Sequence, residues 1–224
     1  MWCIAEITPE FIEKMEDVLD IYAEAYNPKE PVICLDEKPV QLVKDSRKSI
    51  PASINGGIKK RDYEYIRCGT ANTFCIVEPK AGNHFTYATK NRKGKEFAKI
   101  MNRLANHYAE ADKIHLVMDN LNTHSLKSLT DFYGRVKGNI IWNSFEIHFT
   151  PKHASWLNQA EIEIGIYNSQ CLGKSRTGDI EELRKRTNAW NRNVNKRKLK
   201  INWRFTTKKA REKFKYKIRY KLCG

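Results

Sequence analysis

The chain has 224 residues, 41% of them hydrophobic and 11% aromatic; that length can bury a sizeable core, and that composition excludes disorder throughout. Its formal net charge is +15, so an anionic partner is the first to consider. No apolar run is long enough to span a membrane and the first residues lack a signal-peptide pattern, which sets the expectation of a cytoplasmic protein with no membrane partner.

In chain order, Phe11, Ile12, Met15, Val18, Leu19 and Tyr22 recur at helical spacing, which predicts an amphipathic helix over residues 8–26. Asn27-Pro28 and Pro31 stop it. Val32 to Leu35 is an apolar run of strand length that ends on Asp36. β-Branched and aromatic residues on both sides of Gly69-Thr70-Ala71-Asn72 predict a hairpin, with strands at 63–68 and 73–78. A third strand follows at 84–89. Phe97, Ile100, Met101, Leu104 and Tyr108 share one face of a helix over 96–111. Ile114 to Met118 is a second buried strand ending on an acid, Asp119. A short helix at 125–133, a strand at 145–149 and a helix at 155–170 complete the body. This order gives an α/β fold, a mixed sheet with helices on its faces.

The charge is unevenly placed. Residues 1–171 hold 22 Lys/Arg and 22 Asp/Glu, whereas residues 172–224 hold 19 and 4, so the difference of 15 lies wholly in the C-terminal part. The expected division is a core over 1–171 and a basic helical region over 172–224 that completes the domain and contacts DNA, since phosphate contacts gain from counterion release. A helix is expected at 180–193, followed by the DNA-contacting candidates Lys196, Arg197, Lys198, Lys200 and Arg204. A solvated face is the plain alternative for such a run. An acidic membrane surface competes, but Trp190, Trp203, Phe205, Phe214 and Tyr216 interleave with the charges as a folded or stacking surface would. Segment 44–61, with Gly56-Gly57 and its basic residues, fits a DNA-facing loop and a plain exposed loop equally. The six cysteines show no C-x-x-C pair, so reduced thiols, several of them in the core, are expected.

Asp36 and Asp119 each close an apolar run, and open α/β sheets bind ligands at the carboxyl ends of their strands. A cap or a surface acid explains either one alone; two on neighbouring strands can converge. Mg²⁺ takes oxygen ligands, usually one or two carboxylates per ion. Two such ions, about 3.5–4 Å apart, clamp the attacking and leaving oxygens of a displacement at phosphorus. The helix after the last strand offers Glu161 and Glu163, which point about 200° apart. Asn158 precedes Glu161 by one helical face repeat, which selects Glu161 and leaves Glu163 as a surface acid. With 26 acids in the chain, this trio is one of many that spacing alone permits.

The residues around these acids narrow the choice. Val32-Ile33-Cys34-Leu35-Asp36-Glu37-Lys38-Pro39-Val40-Gln41-Leu42 resembles the first-aspartate strand of bacterial insertion-sequence transposases of the Tc/mariner superfamily. His115-Leu116-Val117-Met118-Asp119-Asn120-Leu121-Asn122-Thr123-His124 is similar to their second-aspartate motif. Thr150-Pro151-Lys152-His153-Ala154-Ser155-Trp156-Leu157-Asn158-Gln159-Ala160-Glu161 resembles the third, in which Pro and then Leu-Asn lead into the catalytic Glu. The last block is the most specific, and the resemblance covers nearly the whole chain. It implies a ribonuclease-H-like fold, a five-stranded mixed sheet flanked by helices. It also implies that Asp36, Asp119 and Glu161 bind two Mg²⁺ ions, with Mn²⁺ as a substitute. The implied reaction is DNA cleavage at an element's end and transfer of the freed 3′-hydroxyl into target DNA, by a homo-oligomer, a dimer, associated with a bacterial nucleoid. Asn120 and Asn158 either orient the ligands from behind or cap locally.

Full-length members of that superfamily carry N-terminal helix-turn-helix modules, and Met1 stands just before the catalytic core; a catalytic half without end recognition is expected. The alternatives are a nuclease or resolvase of the same fold, and a catalytically silent DNA-binding remnant. His124, His148 and His153 are left out of the metal site, since no pair has helix-face spacing and Mg²⁺ prefers oxygen. Trp156 reads as a core residue over a base-stacking one.

Overall fold

The computed structural model describes residues 7–50, 58, 60–173 and 175–216. Five strands, β1 (Val32–Asp45), β2 (Tyr65–Glu78), β3 (Asn83–Thr89), β4 (Ile114–Met118) and β5 (Phe145–Phe149), form one sheet in the order β3-β2-β1-β4-β5. β1 runs antiparallel to β2, and β2 to β3, while β1–β4 and β4–β5 are parallel. This is the mixed five-stranded sheet that the sequence led us to expect.

Side chains alternate along a strand, so each strand serves two layers. Ile33, Leu35, Phe74, Ile76, Ile114, Leu116 and Met118 face α2 (Gly94–His107), α3 (Leu126–Tyr133) and α4 (Arg135–Asn143). Val32, Cys34, Val77 and Val117 face α1 (Pro9–Ala23), the start of α5 (Ala160–Tyr167) and α7 (Thr207–Phe214). On that same face α6 (Ile180–Arg197) brings Trp190 and Val194 against Cys75 and Tyr167. α1 begins where Thr8 Oγ1 accepts the Phe11 amide at 3.1 Å, with Pro9 in the first turn, a cap that contributes about 1 kcal/mol.

Several expectations need correction. Asp36 does not end its strand: β1 continues to Asp45 because β2 supplies a partner along its whole length. The hairpin around Gly69 does not form; β2 runs unbroken from Tyr65 to Glu78, and its partners are β1 and β3. Gly69, at φ 96°, sits in a bulge. There the register steps from Gln41↔Thr70 to Val43↔Arg67, placing one extra residue on β2. The glycine signal was genuine, but it marks a bulge rather than a turn. α4 was not foreseen. The helix expected over 155–170 is broken into a 3₁₀ turn (Ser155–Leu157), α5 and a π-helical turn (Asn168–Leu172).

Beyond β1, Ile50 and Lys60 form a backbone pair at 2.9 and 3.0 Å. Arg176 braces the base of this extension, reaching Asp45 Oδ1 at 2.8 Å and the carbonyls of Asp62, Tyr63 and Glu64 at 2.9, 3.0 and 2.6 Å. Gly56-Gly57 lie outside the described residues. Cys34, Cys75 and Cys171 are buried free thiols and Cys68 is partly buried; Cys3 and Cys223 also fall outside.

The C-terminal aromatics pack onto the body. Trp203 meets Tyr22 at 5.5 Å, and Phe205 and Phe214 meet Trp156 at 5.4 and 6.3 Å. Arg211 grips Glu16 through two hydrogen bonds of 2.7 and 2.9 Å. Between α6 and α7 the chain crosses the β2–β3 turn, where Ile201 donates to the Pro79 carbonyl at 3.0 Å. Gly82, at φ 70°, leaves room for this crossing: a Cβ there would lie 2.6 Å from the Lys198 carbonyl. Gly82→Ala should therefore destabilise the fold by roughly 2 kcal/mol or more, measurable as a lowered urea midpoint. A midpoint within error of the parent would mean the crossing yields freely.

An acidic centre at the carboxyl end of the parallel strands

The register brings the first two acids together. Cys34 is paired with Val117 across the parallel β1–β4 ladder, with both side chains on the α1 face. Two residues on, Asp36 returns to that face, and Asp119 is close enough for its charge to act on it. Asp119 stands just past Met118, where β4 ends.

Glu161 enters from α5. Asn158 is buried, its side-chain amide donating to the Leu35 carbonyl at 2.8 Å and its Oδ1 accepting the Ala160 amide at 3.1 Å. Its own carbonyl accepts the Glu161 amide at 3.0 Å. Asn158 thus caps α5 and ties that cap to the residue just before Asp36. It has extended geometry and precedes the helix, so the shared-helix-face argument for Glu161 does not describe its position. Glu161 is exposed and close enough for its charge to act on Asp36.

Burial first, and then the charges of Glu161, Asp119 and Glu37, push the Asp36 carboxyl up to about 7 against the help of the Glu37 amide, which donates to Asp36 Oδ1 at 2.7 Å. Such a cluster of like-charged oxygens is relieved by a hard cation, and its donor set suits Mg²⁺. The residues present therefore fit a divalent ion.

Sequence reading missed His124. Its buried ring has Nε2 2.7 Å from Glu37 Oε1, and Nδ1 3.0 Å from the Asp119 carbonyl and 2.8 Å from Asp119 Oδ1. The N–H is aligned with the carbonyl, so its contact with Oδ1 is a charge contact rather than an aligned hydrogen bond; Oδ1 is buried and has no hydrogen-bond partner. Burial opposes a charge on this ring, but its contacts with Asp119 and Glu37 outweigh it and push its pKa up to about 10. The same contact holds the Asp119 carboxyl below its usual range. Although Glu37, Asp119 and His124 lie within ligand distance of one another, an imidazolium has no lone pair for a metal. His124 instead holds the inner oxygen of Asp119, whose side chain is still 45% exposed.

The other candidates divide. Asn120 is exposed, and its side chain forms no hydrogen bond among the described residues. Glu163 is not a surface acid: it is fully buried, with Oε2 2.8 Å from His84 Nδ1. Trp156 is 40% exposed against Phe205 and Phe214. Lys196, Arg197, Lys198, Lys200 and Arg204 are all exposed at and after the end of α6. Arg197 reaches Gln170 at 3.1 Å and Lys198 bonds Asn83. No described helix is long and apolar enough to cross a membrane.

Sheet order, flanking helices and an acidic centre at the end of β4 define a ribonuclease-H-like fold. The chain belongs to the DDE superfamily endonucleases, whose family model matches residues 31–184. No curated protein sequence matches it significantly. Among solved structures it is similar to the Mos1 transposase paired-end complex with left transposon end, at TM-score 0.55 and 13% identity over 86% of this chain and 57% of that one. The mariner Mos1 paired end complex with Mg gives 0.52 and 14% over 88% and 61%. The catalytic domain of Mos1 mariner transposase gives 0.53 and 12% over 88% and 93%. At these identities the likeness is one of fold, and this chain spans 57% of the first relative's length.

Proposed function

We propose that this chain is a transposase catalytic domain that cuts DNA and transfers the freed strand, with Asp36, Asp119 and Glu161 holding two Mg²⁺ ions for which Mn²⁺ can substitute. The observation that carries this reading is the Cys34↔Val117 register, which makes neighbours of the strand ends bearing Asp36 and Asp119, with the start of α5 and its Glu161 tied to β1 through Asn158, inside the stretch that matches an endonuclease family. Ions held there would neutralise the attacking and leaving oxygens at phosphorus. The chain's own groups do the positioning. Adjacent parallel strands present Asp36 and Asp119, Asn158 ties the start of α5 to β1, and His124 restrains Asp119.

DNA is the substrate, in keeping with the transposon end, Mg and strand transfer named for the Mos1 complexes. By the same reading the chain acts as a homo-oligomer, a dimer, and residues 172–224 complete the domain and track phosphates. The experiment is nicking of supercoiled plasmid by purified protein in Mg²⁺ or Mn²⁺, beside Asp119→Asn and Glu161→Gln. Metal-dependent nicking lost in both variants supports the reading; nicking retained in both overturns the site. Joining of a 3′-hydroxyl oligonucleotide to plasmid then separates strand transfer from simple cleavage.

The basic segment makes its own prediction. Lys200→Ala with Arg204→Ala removes two exposed charges, and each phosphate left unneutralised lowers the slope of log K against log salt by about 0.9. A fluorescence anisotropy titration should show a slope shallower by about 2. An unchanged slope would return these residues to a solvated face.

A further inference from the structure

A second cluster of ligand-type side chains lies along β4 and β5, short of the acidic centre at the end of β4. His115 on β4 and Glu146 on β5 are register partners, and His148 lies two residues further along β5 on the same face. His115 Nδ1 lies 3.0 Å from His148 Nε2 and 4.0 Å from Glu146 Oε2. His115 precedes Asp119 by four residues, about 13 Å along a strand, so this cluster is separate from the acidic centre.

We propose that His115, Glu146 and His148 form a binding site for a borderline divalent transition ion, of which Zn²⁺ is the representative. Two imidazoles and a carboxylate with one position open are a familiar Zn²⁺ donor set. The geometry is nearly ready. Tetrahedral Zn²⁺ with bonds of about 2.0–2.1 Å sets its nitrogens about 3.3 Å apart, a few tenths of an ångström wider than the present separation.

The tautomers are arranged as well. His148 Nδ1 lies 2.8 Å from Asp17 Oδ2 on α1. An ionised carboxylate only accepts, so Asp17 keeps the proton on Nδ1 and leaves the Nε2 lone pair facing His115. Carboxylates behind metal-bound histidines play this part. Burial first, and then the neighbouring His148, hold the His115 pKa below its ordinary value. On binding, the His115 proton moves from Nδ1 to Nε2 and no net proton is lost. Lys113 Nζ lies 3.1 Å from Glu146 Oε2 and is the one cation in contact with the cluster among the described residues. The Glu24, Glu30 and Glu146 charges act in the other direction on His115. The His115 and His148 side chains are 12% and 7% exposed while that of Glu146 is 45%, which gives an ion an entry side and buried nitrogen ligands. A bound ion would clamp the sheet's edge strand β5 to β4, with α1 held through Asp17.

The test uses the full chain without an affinity tag, stripped with EDTA, loaded with Zn²⁺, desalted and assayed by atomic emission and thermal melting. The native chain should retain one equivalent more than His115→Gln/His148→Gln, and Zn²⁺ should raise its melting temperature but not that of the double variant. Two variants at half-exposed positions cover the case in which the double variant fails to fold. Glu146→Gln and Asp17→Asn should each weaken Zn²⁺ binding by about 10–100-fold in competition with a chromogenic chelator. Equal retention by the native chain and the double variant, no retention by the native chain, or unchanged affinity in both single variants overturns the proposal.

Discussion

Asp36→Asn is expected to abolish metal-dependent nicking, by about 10³-fold or more, while raising the melting temperature of the metal-free chain. The two effects share one cause. Burial and three neighbouring acids penalise the Asp36 charge, which sets its pKa at about 7 against 3.8 for a free aspartate. Since the folded value is the higher one, the native state binds more protons than the unfolded state between those values, and metal-free stability falls as pH rises through that window. Asn carries no charge and removes the fall. In EDTA at pH 8 the variant should melt a few degrees higher, and the difference should vanish near pH 4, which calorimetry at the two pH values would reveal. On the proposed reading the same carboxylate is an Mg²⁺ ligand, and losing it would remove several kcal/mol of transition-state stabilisation, about tenfold in rate for each 1.36 kcal/mol. A variant that nicks normally, or one whose stability in EDTA falls at pH 8, would contradict the coupling of Asp36 to its acidic neighbours.

The layered sheet and most helices were legible because periodicity reports burial directly. Ile33 and Leu35 on one face and Val32 and Cys34 on the other make an apolar run, the mark of a strand covered on both sides. The continuation of β1 past Asp36 was not legible, for the same reason in reverse. β1 leaves the core there, and Glu37, Lys38 and Pro39 have no apolar pattern to announce a strand that is held by backbone pairing with β2. A glycine between two β-rich runs has the same local signature whether the chain turns back or bulges. Gly69 bulges because β1, distant in sequence, claims the edge of β2. Within the site, motif words singled out Asp36, Asp119 and Glu161; the meeting of the first two depends on the Cys34↔Val117 register that no local pattern carries. His124 was set aside because histidine was weighed only as a metal ligand. Its five-residue separation from Asp119 becomes meaningful once the intervening turn folds its ring back between Asp119 and Glu37. His115 and His148 escaped notice as a pair because adjacent strands, 33 residues apart in sequence, bring them together.

The sharpest separation of structure from chemistry lies within α5, between Glu161 and Glu163. Glu163→Leu is expected to destabilise the chain by about 3–5 kcal/mol, the cost of stripping one partner from a buried polar pair. His84 Nε2 lies 3.3 Å from the Leu199 carbonyl and Nδ1 lies 2.8 Å from Glu163 Oε2. Since a carbonyl only accepts, Nε2 carries a proton, and a second proton is shared between Nδ1 and the carboxyl. Both side chains are almost wholly buried, and the other carboxyl oxygen, Oε1, has no hydrogen-bond partner, so the pair is held mainly by its one short contact. A leucine side chain in place of Glu163 would leave the His84 Nδ1 group without that partner, in a layer built from Tyr167, Trp190 and Cys75. At about 2–4 °C per kcal/mol for a chain of this size, melting should fall by roughly 10 °C. Adding His84→Leu should recover much of the loss, because replacing both members of a buried pair with apolar residues costs far less than removing one. Glu161→Gln changes an exposed side chain and should leave melting within a degree or so while removing metal-dependent nicking. Measured at low temperature, where Glu163→Leu remains folded by circular dichroism, its nicking per folded molecule should persist. If nicking instead vanished in folded Glu163→Leu and survived in Glu161→Gln, the third acid would be the buried one, and the role given to the Asn158 cap would fall with it.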